Sequence, residues 1–114
     1  MSTIITRVMD LTTGRAAAGV AVSLERKTHS AGWQALGSVI TDINGAAVGL
    51  IPAGDVFLPG HYRLTFETGS YFLMRNLETF FQQVVINFTV KDASRDQEIP
   101  LLLSPFGYST HRGN

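Results

Sequence analysis

The chain has no cysteine at all. That absence excludes disulfide cross-links, thiolate nucleophiles and most structural zinc sites. Histidine is scarce too, with three in the chain, and none stands in metal-ligand spacing. No metal and no cofactor is expected. Charged residues make up only 16% of the sequence, nine basic against nine acidic, so the formal net charge is zero. Neither nucleic acid nor an anionic membrane surface is an electrostatically favoured partner. No apolar run approaches the roughly eighteen residues of a membrane span. The opening MSTIITRVMD lacks a basic region followed by a long apolar core, so a signal peptide is not expected and a cytoplasmic home is. Gly14, Gly45 and Gly60 sit in turn contexts without phosphate-loop spacing.

What the chain does have is hydrophobic content, 45% over 114 residues, enough for one core and one domain spanning 1–114. The apolar residues recur with period two. Ile4 to Val8 is a short strand, and Val20, Val22 and Leu24 alternate with Ala21 and Ser23. Trp33 to Ile40 reads as a strand that ends at the turn Asp42-Ile43-Asn44-Gly45. His61 to Glu67 puts Tyr62, Leu64 and Phe66 on one face, and Val84 to Val90 does the same with Val84, Ile86, Phe88 and Val90. Ser70 to Arg75 is the one place that predicts a helix, with Ser70 as its cap. Short strands separated by turns describe an all-β, two-sheet sandwich with one short helix.

The last stretch, EIPLLLSPFGYSTHRGN, organises the rest. Ile99, Leu101 and Leu103 alternate with Pro100, Leu102 and Ser104, a strand that is Leu-rich on both faces and is expected between packed layers. Pro105 and Gly107 then turn the chain. The polar tail Tyr108 to Asn114 follows directly, so a buried strand fixes the origin of a donor-rich segment.

LLLSPFGYSTHRGN resembles the C-terminal signature LLLSP[YF]GYSTYRGS of the 5-hydroxyisourate hydrolases, the transthyretin-like enzymes of urate breakdown. The likeness continues through AAAGVAVSLER, GWQALGSVITDINGA, LPGHYRLTFETGSYF and ETFFQQVVINFTVKD, and so covers essentially the whole chain. It implies a transthyretin-like sandwich of about eight strands. It also implies a homotetramer with sites at the dimer–dimer interface. Phe80, Phe81 and Leu101-Leu102-Leu103 are the apolar residues that such an assembly would use.

At five positions the chain departs from the motifs of that family, one of them His111 in place of the tyrosine of YRGS. A histidine in a THVLD-like first strand is replaced by Arg7, and the arginine of a DADGR turn by Ala46. A second histidine, in HYHVPLLL, is replaced by Glu98, and the terminal serine of YRGS by Asn114. An arginine is no general base, and an alanine cannot steady an oxyanion. Parent hydrolysis is therefore expected to be weak or absent. The remaining polar set assigns His111 and Glu98 as catalytic candidates, and Arg7, Arg112, Asn114, Asp96 and Ser109 as substrate-binding ones. An Arg7–Glu98 ion pair that replaces two histidines structurally stands beside that reading. Three functions stay open. One is a repurposed enzyme acting by proton transfer on another small cyclic or carbonyl-bearing metabolite. The second is a carrier that binds without turnover, and the third is a residual hydrolase.

Overall fold

Nine strands and one helix form among the described residues, 2–30 and 32–114 of this computed structural model. They are β1 (Ile4–Asp10), β2 (Arg15–Ala16), β3 (Ala21–Lys27), β4 (Trp33–Ile40), β5 (Ala46–Ala47) and β6 (Gly60–Phe66). Helix α1 (Thr68–Leu73) follows, then β7 (Val84–Val90), β8 (Gln97–Ser104) and β9 (Gly107–Thr110). One sheet runs in the order β2-β1-β8-β9, with β5 paired to β1; the other runs β4-β3-β6-β7. The expected transthyretin-like sandwich is what forms.

The period-two pattern decides which faces meet. Ile4 and Val8 of β1 with Ile99, Leu101 and Leu103 of β8 pack against Val22, Leu24, Tyr62, Leu64, Phe66 and Val84 of the second sheet. Phe72 of α1 plugs the same core and is fully buried. Truncating such an aromatic to alanine typically costs about 3–5 kcal/mol. No helix is long and apolar enough to cross a membrane among the described residues.

Strand β1 is the hinge of the topology. It pairs in parallel with β8, from Ile4 opposite Gln97 to Asp10 opposite Leu103. Its other edge is shared, β5 meeting Thr6 and Arg7 and β2 meeting Met9 and Asp10. The turn before β5 closes as the sequence predicts. Gly45 takes φ +74°, its amide donates to Asp42 O at 2.8 Å, and the Asp42 carboxylate accepts from the Asn44 and Ala46 amides.

Two expectations need correction, and one strand is added. The helix begins two residues before Ser70: Glu67 occupies the cap position without a side-chain cap bond, and Ser70 lies exposed inside the helix. Strand β8 is buried on one face only. Leu101 and Leu103 are core residues, 0% and 2% exposed, so they offer nothing to an interface, while Pro100, Leu102 and Ser104 are half-buried on the outer face. The tail beyond Gly107 continues as a strand, β9, with Ser109 opposite Leu102 and Thr110 opposite Leu101.

Candidate functional site

The tail is held by its own polar groups. After β9 the chain stays beside β8, because the Gly113 amide donates to Glu98 O at 2.8 Å. Asn114 then locks the end. Its Nδ2 donates to Asp96 O at 2.6 Å, and its Oδ1 accepts the Glu98 amide at 3.3 Å. The Asp96 carboxylate accepts the Thr3 amide at 2.9 Å. Asp96 and Asn114 are thus engaged in tying both ends of the chain to the start of β8. Gly113 lies close against β8: a Cβ would sit 3.1 Å from Pro100 Cδ and 3.2 Å from Glu98 Cβ and O, tight enough that the tail or β8 would have to give by a few tenths of an ångström.

Glu98, His111 and Arg112 line one cavity of about 590 Å³. Its apolar wall comes from Ile86 and Phe88 of β7 and Ile99 of β8. Such an apolar pocket with a few convergent polar groups is the usual form of a small-molecule site. Both Glu98 and His111 are exposed, so the cavity opens to solvent.

Arg7 and Ser109 lie elsewhere. On β1 the inward positions are Ile4, Thr6, Val8 and Asp10, which leaves Arg7 exposed on the outer face of the five-stranded sheet. Ser109 shares the outer register of β8 with Leu102. Neither lines the cavity. The Arg7–Glu98 ion pair does not form. Glu98 is opposite Ile5, and Arg7 is opposite Pro100, two positions along. The one salt bridge among the described residues joins Arg63 to Glu25 at 2.8 Å.

Arg7, Ala46, Glu98 and Asn114 are neighbours across the sheet. Arg7 is the cross-strand partner of Ala46, Glu98 lies on the adjoining strand, and Asn114 bonds to the Glu98 amide. Ala46 is buried, 6% exposed. Glu98 belongs both to this face and to the cavity.

Sequence reasoning missed Thr89, Lys91, Asp92 and Gln97, all of which line the cavity. Lys91 adds a second cation to Arg112. Asp92 is committed to its own loop: the Ser94 hydroxyl and amide both donate to Oδ1, at 2.5 and 2.9 Å, and hold the carboxyl below its usual range. Gln97 spends its amide on the carbonyls of Asp92 and Arg95. The only sequence signal for Lys91 was a cation directly after a strand end.

Comparison with known proteins places this geometry. A profile described as the HIUase/Transthyretin family matches residues 4–113. The 5-hydroxyisourate hydrolase of Salmonella dublin is 40% identical over 107 residues, covering 94% of this chain and 77% of that protein. The 5-hydroxyisourate hydrolase of Caulobacter vibrioides is 37% identical over 118 residues, covering 100% of both. Among solved structures, 5-hydroxyisourate hydrolase of Klebsiella pneumoniae superposes with TM-score 0.83 at 33% identity, covering 99% of this chain and 100% of that one. Transthyretin from Sparus aurata superposes with TM-score 0.91 at 27% identity, covering 98% and 97%. From β1 to the anchored tail, the chain belongs to the HIUase/transthyretin family.

Proposed function

We propose that this chain is a diverged member of the family, an enzyme that acts by proton transfer on a small cyclic or carbonyl-bearing metabolite other than 5-hydroxyisourate. The observation that carries the reading is the shared cavity of Glu98, His111 and Arg112 against Ile86, Phe88 and Ile99. Arg112 offers a planar fork to a carbonyl or carboxylate oxygen. A neutral His111 imidazole takes a proton from water as the water oxygen bonds to the carbonyl carbon. The imidazolium returns that proton to the leaving atom as the ring bond breaks, and the Glu98 carboxylate steadies the cation between the two transfers. Hydrolytic ring opening uses the two transfers in this order, and ring closure with loss of water uses them in reverse.

Support for a replaced rather than a parent chemistry comes from Arg7, Ala46, Glu98 and Asn114. These departures cluster on one face instead of scattering over the chain. The proposal includes a homotetramer in the cytoplasm, with the exposed aromatic run Phe80, Phe81 and Tyr108 as contact surface. Phe80 and Phe81 stack edge to face with centroids 5.0 Å apart, and Phe81 meets Tyr108 at 5.5 Å.

A second reading, binding without turnover, draws on the exposure of Glu98 and His111, since catalytic bases are usually desolvated. The experiment that separates the two is native mass spectrometry of the protein with a metabolite extract, followed by incubation of each captured ligand. Conversion of a captured ligand, lost in His111→Ala, establishes the enzyme. Capture without conversion establishes the carrier.

A further inference from the structure

A second concavity lies on the other sheet, where β3 ends and β6 begins. Its walls include Arg26, Lys27, Thr28, His29, Gly60 and His61, around a volume of about 510 Å³. We propose that this cleft is an anion site that takes a phosphate group, as a small phosphate monoester or as free phosphate.

Charge is the first reason. Two permanent cations and two imidazoles line the cleft, and no carboxylate does. In a chain of zero formal net charge, that is a local excess which the rest of the surface must balance. Arg63, two residues along β6 from His61, shows what neutralisation looks like here: it meets Glu25 at 2.8 Å and stacks over Trp33, 4.2 Å from the ring centroid. Arg26 and Lys27 have no carboxylate within salt-bridge distance among the described residues. Asp55 borders Arg26 only from a neighbouring hollow and forms no ion pair with it.

Geometry is the second reason. Arg26, Lys27 and His29 come from the end of β3 and its loop, and His61 from β6, with Arg26 on the inward register beside Tyr62 and His61 on the outward one at the rim. His61 is oriented by its bond between Nδ1 and Thr89 Oγ1, 2.9 Å across the β6–β7 pair, which leaves Nε2 for a ligand. Arginine presents a fork matched to two phosphate oxygens, and a concave wall focuses the field of the group. The cleft is bounded by Leu58 and Pro59, and no basic stripe extends from it as a polyanion would need. A compact dianion therefore fits better than a nucleic acid or a sulfated polysaccharide.

The test is a titration of isotopically labelled protein, followed by amide NMR shifts, with phenyl phosphate, inorganic phosphate and acetate. Saturable shifts at Thr28, His29 and His61 are expected with the phosphates and not with acetate. Preference for phenyl phosphate identifies an ester as the ligand, and equal affinity identifies free phosphate. Lys27→Ala, at an exposed position, and Arg26→Ala should each weaken binding about tenfold, the loss of one charge-assisted bond, with Arg26→Lys retaining part of it. Unchanged spectra away from the cleft show that the variants remain folded. Absence of saturable shifts with either phosphate overturns the proposal. So does affinity that climbs with the length of an oligonucleotide or sulfated oligosaccharide while the small phosphates stay weak.

Discussion

The Tyr71 hydroxyl donates to Asp10 Oδ2 at 2.7 Å, joining α1 to the end of β1 with both residues buried. Burial alone would raise the Asp10 carboxyl. Hydrogen bonds from the Thr12 hydroxyl, Tyr71 and the Thr12 amide, with Arg75 nearby, outweigh it and hold the group below its usual range. Burial and the Asp10 partner push the Tyr71 phenol up to about 12.

The sign of the pH effect follows. Asp10 is depressed in the fold, so its contribution is complete above the ordinary carboxylate value near ~4 and is lost as pH falls further. Tyr71 is raised, so its contribution holds below the ordinary phenol value near ~10 and is lost as pH climbs toward about 12. Tyr71→Phe should cost about 1–3 kcal/mol at neutral pH, because it strips a donor from a buried carboxylate. Denaturant unfolding of both proteins across pH checks it. The wild-type chain should lose stability more steeply below ~4 than Tyr71→Phe does. Parallel curves would show that the pair carries no linkage.

The parent reaction supplies the next expectation. With freshly generated 5-hydroxyisourate, absorbance decay should stay close to the uncatalysed rate. Arg7→His, Ala46→Arg, Glu98→His and Asn114→Ser together should restore part of it, since these positions meet on one face. A wild-type rate equal to that of authentic hydrolases would mean that the altered residues do not govern the chemistry.

Gly113 gives a way to disturb the tail without removing a functional side chain. Gly113→Ala sets a Cβ against Pro100 and Glu98 at 3.1–3.2 Å and should push the last residues slightly away from β8, loosening the Gly113–Glu98 bond. Ligand captured by the cavity should be lost in this variant and in a deletion of 111–114, with thermal unfolding little changed. Arg112→Ala should weaken binding about tenfold, the scale of one charge-assisted hydrogen bond. Intact binding after the deletion would place the site elsewhere.

How much of this was legible beforehand depended on pattern. Strand β7 was readable to the residue because apolar alternation from Val84 to Val90 stops at Lys91, and β4 because the polar loop before Trp33 and the turn from Asp42 bound it. Strands β2 and β5 were not, because two residues carry no period and are strands only through pairing with β1. The same holds for β9, whose Ser109 and Thr110 show no apolar face. Glu98, His111 and Arg112 were legible through motif positions. The absence of an Arg7–Glu98 pair depended on register, which the sequence of either strand alone does not reveal. Lys91 reads in sequence as one more solvated charge in a polar loop.

Assembly can be checked on the aromatics. Phe80 is 73% exposed and Phe106 65%, a large apolar surface for a free protomer. Sedimentation at micromolar concentration should show a tetramer, and Phe80→Ser should shift it toward smaller species without loss of secondary structure. A stable wild-type monomer would refute the assembly.

The parallel pairing of β1 with β8 sets the order in which the molecule can be made. Strand β1 leaves the ribosome well before its neighbour Gln97–Ser104, because strands β2 to β7 lie between them in the chain. Closing so long a loop is slow, and until then an apolar strand edge stays unpaired. The second sheet, whose β3 and β4 pair over short spans, has no such wait. The cavity at β8 and the tail is thus a late product of folding, so a nascent or truncated chain with a well-formed second sheet would still lack its site.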